Sequence, residues 1–495
     1  MSETLPASTG GLKLAQQLAE QISQGIMDIG WPVGEVFGSE ADLLERYQTS
    51  RASLREAIRI LERQGIAKMQ RGPRGGLTII APVEGVVAQS LAAYLEFTDM
   101  TFAEVLECRA VLEKLAVRLA AERINKRQRQ TLLTSLQEIG ASAAATQKDV
   151  QAHMMIRHQI AEATQNPALS LFLDMLSEVT TDYLYFDSHG GRRTPNDIEF
   201  LSNFRQIEVG YKRDLVESIL NGNVAFAEQR VQDDLDLHLS LAQALQDQFR
   251  KADGGSPASR KKRLARFIKG TAGESAKLPE VLARTILMEI REMGWPVGER
   301  LGSEPELIET FDVSRAALRE AIRLLERDNI VQMRRGSGGG LFIASPTPDN
   351  VVATAVKYLV RMKLGPMHYI EVRSAVEGRA AELAAERLDD EGTAQLVSTH
   401  EQLVKAAPKD VAIVASLLHV LIGQLSGNRA LSLFLQILIN MTAKHMVWRR
   451  RSAQRAYDIV RETHPAIVDA ILARNPARAR EAMLTHVDRA IRSFR

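Results

Sequence analysis

At 495 residues the chain is too long for one hydrophobic core, so several domains are expected. Its single cysteine, Cys108, excludes an intramolecular disulfide framework and suits a reducing compartment; it sits in an apolar helical pattern, as a buried thiol would. A net charge of +2 excludes a chain that binds polyanions through bulk charge alone, so any basic surface must be local. No stretch is long and apolar enough to cross a membrane, and MSETLPASTGGLKLAQQ lacks the pattern of a secretory signal, so a cytoplasmic protein without a membrane partner is expected.

The chain repeats itself. Gly30–Pro82 aligns without a gap on Gly294–Pro346, with 32 of 53 positions identical. The match continues from Tyr94 onto Tyr358, and from NPALSLFLDML at Asn166 onto NRALSLFLQIL at Asn428. This is the duplication of one large unit, far longer than a solenoid repeat. Composition divides it into a small domain at 11–82, a helical domain at 83–246, a Gly/Ser/Pro linker with a basic run (Arg260–Arg263) at 247–276, a second small domain at 277–346 and a second helical domain at 347–495.

Each small domain opens with a capping-box pattern, Ser39 with Asp42 and Ser303 with Glu306, which starts a short helix. A turn follows, and then a second helix with Ser50 or Ser314 at its N-cap. In that helix Leu54, Ala57, Ile58 and Leu61 make a buried face. Arg51, Arg55, Arg59 and Arg63 make another; in the copy Arg315, Arg319, Arg323 and Arg327 do so. Two helices across a tight turn, the second led by arginines, form a helix-turn-helix, and arginine at such a helix start reaches guanine edges or phosphates. Ser53 faces Ala317 at the equivalent recognition position, so the two heads should read slightly different half-sites. A strand-turn-strand segment follows, with a basic glycine-rich tip: Arg71 and Arg74 in the first copy, Arg334 and Arg335 in the second. That is a wing, placed to touch the backbone or minor groove. No G-x-G-x-x-G or G-x-x-x-x-G-K-[ST] motif occurs, so a phosphate-binding loop is excluded. The fold expected is mainly α: two winged helix-turn-helix domains and two all-α bundles.

With these motifs on the page, S-R-x-x-L-R-E-A-I-R-x-L-E-R and the R-G-x-x-G-G wing resemble the GntR family of bacterial transcription regulators. The helical domains, each with E-x-R-x-x-x-E (Glu107–Glu113, Glu371–Glu377), resemble the FCD effector domain of the FadR subfamily. One departure is clear: the family usually has S-E-R-E-L at the first helix, and Ala41 and Pro305 stand where its arginine contacts DNA. The resemblance implies a helical bundle with a central pocket, in which many members hold a divalent metal by D-x-x-x-H and two later histidines. In the second bundle His419, His464 and His486 fall at the histidine positions, while Ala415 takes the aspartate position. One Zn or Ni ion there is the expectation, against a reading of packed core histidines; three imidazoles with an open position suit either metal. In the first bundle the places are taken by His153, Arg157, Lys212 and Asp234, so no metal is expected there. Either Arg157 and Lys212 hold an anionic effector directly, or that bundle is a structural half. Arg109 and Arg373 either meet an effector carboxylate or pair along their own helix with Glu113 and Glu377.

The expectation is a regulator and not an enzyme: no H-E-x-x-H or G-x-S-x-G occurs. It is a ligand-responsive repressor of a metabolic operon, binding double-stranded operator DNA and a small organic acid. The duplication makes it a covalent pseudo-dimer, monomeric or pairing again as a homodimer, on a pseudo-palindromic site. The alternative is an architectural DNA-binding protein without an effector.

Overall fold

The computed structural model describes residues 9–492 apart from 64, 71, 73, 74, 81–85, 99, 141–146, 186–194, 253–277, 335, 337, 363 and 448–452. The first repeat comprises α1 (Thr9–Asp28), β1 (Val36–Gly38), α2 (Glu40–Tyr47), α3 (Arg51–Arg63), β2 (Ala67–Gln70), β3 (Gly76–Ile79), α4 (Val86–Phe97), α5 (Phe102–Arg123), α6 (Lys126–Gly140), α7 (Gln147–Ala163), α8 (Pro167–Tyr185), α9 (Pro195–Leu220) and α10 (Val224–Ala252). The second comprises α11 (Leu278–Glu292), β4 (Arg300–Gly302), α12 (Glu304–Phe311), α13 (Arg315–Arg327), β5 (Val331–Arg334), β6 (Gly340–Ile343), α14 (Pro348–Arg361), α15 (Pro366–Arg387), α16 (Asp390–Lys405), α17 (Val411–Leu425), α18 (Arg429–Val447), α19 (Ala453–Leu472) and α20 (Pro476–Arg492). α10 carries the first helical domain past residue 246, and the rest of the linker, with Arg260–Arg263, lies outside the described residues. The chain forms two compact units that cut across the repeat: Met1–Phe97 with Arg260–Lys363, and Thr98–Ser259 with Leu364–Arg495.

The first unit contains both heads. In each, the apolar face of the second helix is buried as its spacing requires: Leu54, Ala57 and Leu61 are fully enclosed, as are Leu318 and Ala321. Helix α1 closes the first core with Leu18, Ala19, Ile22 and Ile26. Both capping boxes form, with the Ser39 and Ser303 hydroxyls accepting from the amides of Asp42 and Glu306. Each wing is an antiparallel pair joined by a third strand, in the orders β1-β3-β2 and β4-β6-β5. The third strand was not expected from sequence, because three residues such as VFG carry no alternation to read. Gly76 is required where it stands: a Cβ there would lie 2.7 Å from the Gly38 carbonyl oxygen. Helix α4 follows the first head but packs on the second. Phe97 meets the Trp295 ring edge-on at 5.4 Å, and the Ser90 hydroxyl donates to Asp328.

The second unit contains both helical bundles, built around α5 and α15. These two helices face each other, and their contacts come in matched pairs. Arg123 bonds Glu371 at 2.6 Å, and Arg387 bonds Glu107 at 2.9 Å. The Asn166 amide donates to the His368 carbonyl and Glu371, and that of Asn428 donates to the Glu104 carbonyl and Glu107. The equivalent rings of Phe172 and Phe434 meet each other at 4.9 Å. Each of these contacts from one bundle is matched by its equivalent from the other. The first glutamate of each E-x-R-x-x-x-E motif therefore joins the bundles. We expect Glu107→Ala and Glu371→Ala each to cost about 2 kcal/mol, the order expected when a charged hydrogen-bond acceptor is removed from arginines that are only partly exposed. Urea midpoints check this, and the two variants should agree.

Candidate DNA interface and metal centre

On the second helix of each helix-turn-helix, Arg51, Arg55 and Arg59, and in the copy Arg315, Arg319 and Arg323, lie outward. Arg55 is 66% exposed and reaches Glu40 at 3.3 Å; Arg319 is 58% exposed and reaches Glu304 at 2.8 Å. Arg315 is also exposed and lies 3.2 Å from Glu304. Glu40 and Glu304 open α2 and α12, the helices before the arginine-bearing ones, and pair with Arg55 and Arg319 across the turn. Sequence reasoning missed this role, although each glutamate follows its N-cap serine directly. Arg51 is exposed. Ser50 and Ser314 cap their helices, accepting from the amides of residues 53 and 317.

The Ser53 hydroxyl bonds that of Ser50 at 2.9 Å, and its counterpart Ala317 is only 8% exposed. Arg327 does not continue the outward row; it turns onto Asp328 at 2.9 Å and is 11% exposed. Arg334 is exposed on its strand, but its guanidinium stacks over Phe342, 4.3 Å from the ring centre. Arg71, Arg74 and Arg335 lie outside the described residues. Ala41 and Pro305 are exposed, and neither supplies the side-chain donor of the family arginine.

In the second bundle His419 on α17, His464 on α19 and His486 on α20 converge. Their ring centres lie 4.5–5.1 Å apart, and a ligand nitrogen from each falls within 4.8 Å of the others. All three are buried. Their surroundings fix which nitrogen is free. Thr463 donates its hydroxyl proton to the Ile459 carbonyl, so towards His486 Nδ1, 2.8 Å away, it accepts. His419 Nδ1 lies 2.9 Å from a Glu377 carboxylate oxygen, an ion-pair distance without hydrogen-bond geometry. With Nδ1 of His486 towards Thr463 and Nδ1 of His419 towards Glu377, Nε2 of each ring is the nitrogen left for a metal, as in metal-bound histidine oriented by a neighbouring group. His464 has neither nitrogen partnered. A buried imidazole with two orphan nitrogens is costly in a packed core and suited to a metal. Burial, followed by the neighbouring imidazoles, holds His464 far below the usual histidine range, and burial with His419 holds His486 down to about 3. Burial opposes ionisation of Glu377, but Arg373 and His419 beside it outweigh that and bring it down to about 2. Ala415 is buried and apolar, as the sequence implied. Glu377 and Thr463 are the residues that sequence reasoning missed as partners of the histidines.

The first bundle holds a different centre. Asp234 accepts from Arg157 at 2.5 Å and from Lys212 at 2.7 Å. Arg109 pairs with Glu113 at 2.6 Å, just as Arg373 pairs with Glu377 at 2.9 Å, so both arginines pair along their own helix. Arg109 is wholly buried, and its two terminal nitrogens make no hydrogen bond. Glu208, Asp234 and His238 lie close enough to resemble a ligand set. Two cations already on Asp234 oppose a metal ion there, and His238 Nδ1 is 2.6 Å from the Asp234 carbonyl. Burial lowers Lys212 and His238, while its two cations hold Asp234 well below the carboxylate range against burial.

Two winged heads and two helical bundles, each bundle with a buried polar centre, define a DNA-binding regulator with sensor domains. The chain belongs to the gntR family of bacterial regulatory proteins, matched at residues 14–77 and 278–340, and carries the FCD domain at 104–237 and 368–489. It is 26% identical over 231 residues to the HTH-type transcriptional repressor NanR of Salmonella newport, covering 46% of this chain and 88% of that one. NanR of Salmonella typhimurium matches at the same identity, with 87% of its length covered. Among solved structures, a Streptococcus agalactiae GntR protein shares 29% identity over 43% of this chain and 99% of its own, at a TM-score of 0.35. Escherichia coli McbR/YncC shares 16% over 48% and 98%, at 0.24. Among the described residues no helix is long and apolar enough to cross a membrane.

Proposed function

We propose that the chain is a ligand-responsive transcriptional repressor in which one polypeptide does the work of a dimer. Both heads engage the two halves of a pseudo-palindromic operator, through Arg51 and Arg55 on one side and Arg315 and Arg319 on the other. Ser50 and Ser314 supply helix-start contacts, and Arg71, Arg74, Arg334 and Arg335 supply wing contacts. The observation that carries this reading is the reciprocal interface between α5 and α15, which holds two equivalent halves in one chain. A stretch of about half the chain already spans most of the length of a NanR repressor. Joining the halves replaces a bimolecular step with an intramolecular one.

The second bundle is the metal-dependent sensor of this reading. His419, His464 and His486 fit one Zn or Ni ion, which when bound offers an open position to an organic-acid carboxylate. Arg373, held by Glu377, lies beside that centre and favours an anion. A footprint of the purified chain on operator DNA tests the proposal. Both half-sites should be protected at one chain per duplex; protection of one half-site alone would refute it.

A further inference from the structure

The first bundle holds a partly open cavity of about 540 Å³ that the histidine centre does not account for. Its wall is mainly apolar: Ala116 and Val117 on α5, Ile160 on α7, Leu173 on α8, Leu215 on α9 and Val231 on α10. Glu113 and Arg157 form its polar end, and Met155, half exposed, lines it with His158 and Asp174. Such a volume suits one small molecule.

Charge decides what kind. The cations of this centre are Arg109, Arg157 and Lys212; the carboxylates facing them are Glu113, Asp234 and Glu208. Three meet three, and burial keeps His238 towards its neutral form. An incoming carboxylate would be a fourth anion in a buried, balanced cluster. Arg109 and Arg157 still have unpartnered N–H groups that one polar group of a ligand can meet, but a full negative charge there would be buried without a cation of its own, the costly case in the interior. An uncharged ligand displaces only water from an apolar wall. We infer that the first bundle binds one mainly apolar, uncharged small molecule, without a metal, its one polar end against Arg157 and Glu113. The two bundles would then sense different chemistry in one chain, which covalent duplication permits and an identical pair of subunits does not. The inference rests on reading the bundles as sensors.

The test uses the full chain and N-phenyl-1-naphthylamine, a neutral apolar fluorophore. One equivalent should bind, with or without EDTA. Decan-1-ol should displace it; succinate and citrate should not. Met155→Trp, a half-exposed site that tolerates a larger side chain, and Val231→Phe, which fills the cavity, should each weaken the probe at least tenfold. Leu417→Trp, at the corresponding place in the second bundle, should leave binding unchanged. Displacement by succinate, no probe binding, or equal binding by both cavity variants would overturn the inference. The readout needs no DNA. A chain that binds the probe and no operator breaks the regulator reading alone; one that binds operator and no probe breaks this inference alone.

Discussion

Arg315→Ala combined with Arg319→Ala should lower operator affinity by about 2–6 kcal/mol, since each arginine removed would delete a contact of roughly 1–3 kcal/mol. Arg51→Ala with Arg55→Ala should do the same in the other head. Part of the loss is offset, because the free protein already ties Arg55 to Glu40 and Arg319 to Glu304. Those pairs are largely exposed, and such pairs contribute well under 1 kcal/mol, so the missing bonds to DNA dominate. Folding should be kept: the arginines face solvent, where substitutions typically shift stability by about 0.5 kcal/mol or less. Titration against a duplex at several salt concentrations checks this. Any arginine that meets a phosphate should also flatten the salt dependence when removed. If variants of one head leave affinity unchanged, one polypeptide does not use both heads on one site.

Much of this architecture was legible because the repeat shows each signal twice. The apolar spacing of Leu54, Ala57, Ile58 and Leu61 fixes a helix and its inward face, and its copy fixes them again. The histidines were legible only through a family pattern, since His419, His464 and His486 are far apart in sequence and spacing alone cannot bring three helices to one point. What stayed hidden was set by tertiary packing. Helical phase around Arg327 looks the same as around Arg323, yet Asp328 draws the former inward. Nothing in the sequence showed that the Ser53 hydroxyl meets that of Ser50. Glu107 and Glu371 read only as members of a family motif; that they join the bundles was hidden, because which face of α5 meets α15 is decided by the partner helix. The ion-pair cluster of the first bundle was half visible: Arg157 and Lys212 led to the expectation of no metal there, but only the fold shows both closing on Asp234.

The purified chain should carry one equivalent of Zn or Ni, and His464→Ala should reduce it to near zero. The outcome turns on the state of the imidazoles. A ligand nitrogen must be unprotonated, and an isolated histidine loses that state below about pH 6.5. Sequence alone therefore places metal loss near there. In the fold, burial disfavours the charged ring, holding His486 down to about 3 and His464 well below its ordinary value. Metal should consequently persist at pH 6 and leave only at lower pH. The same shift carries a stability cost in acid. Between about pH 6.5 and the depressed folded values, the unfolded chain binds protons that the folded chain does not, so stability falls as pH falls through that window. A packed-core reading and a metal reading then part on one variant, His464→Leu. Without metal, His464 buries two unpartnered nitrogens, each a cost of about 1–3 kcal/mol. Leucine removes that cost, so His464→Leu should be more stable than the metal-free wild type and less stable than the metal-loaded one. Elemental analysis with urea unfolding, in EDTA and in added Zn, separates the cases. Two equivalents per chain, or none under any loading, would return the three histidines to the core; a leucine variant less stable than the metal-free wild type would do the same.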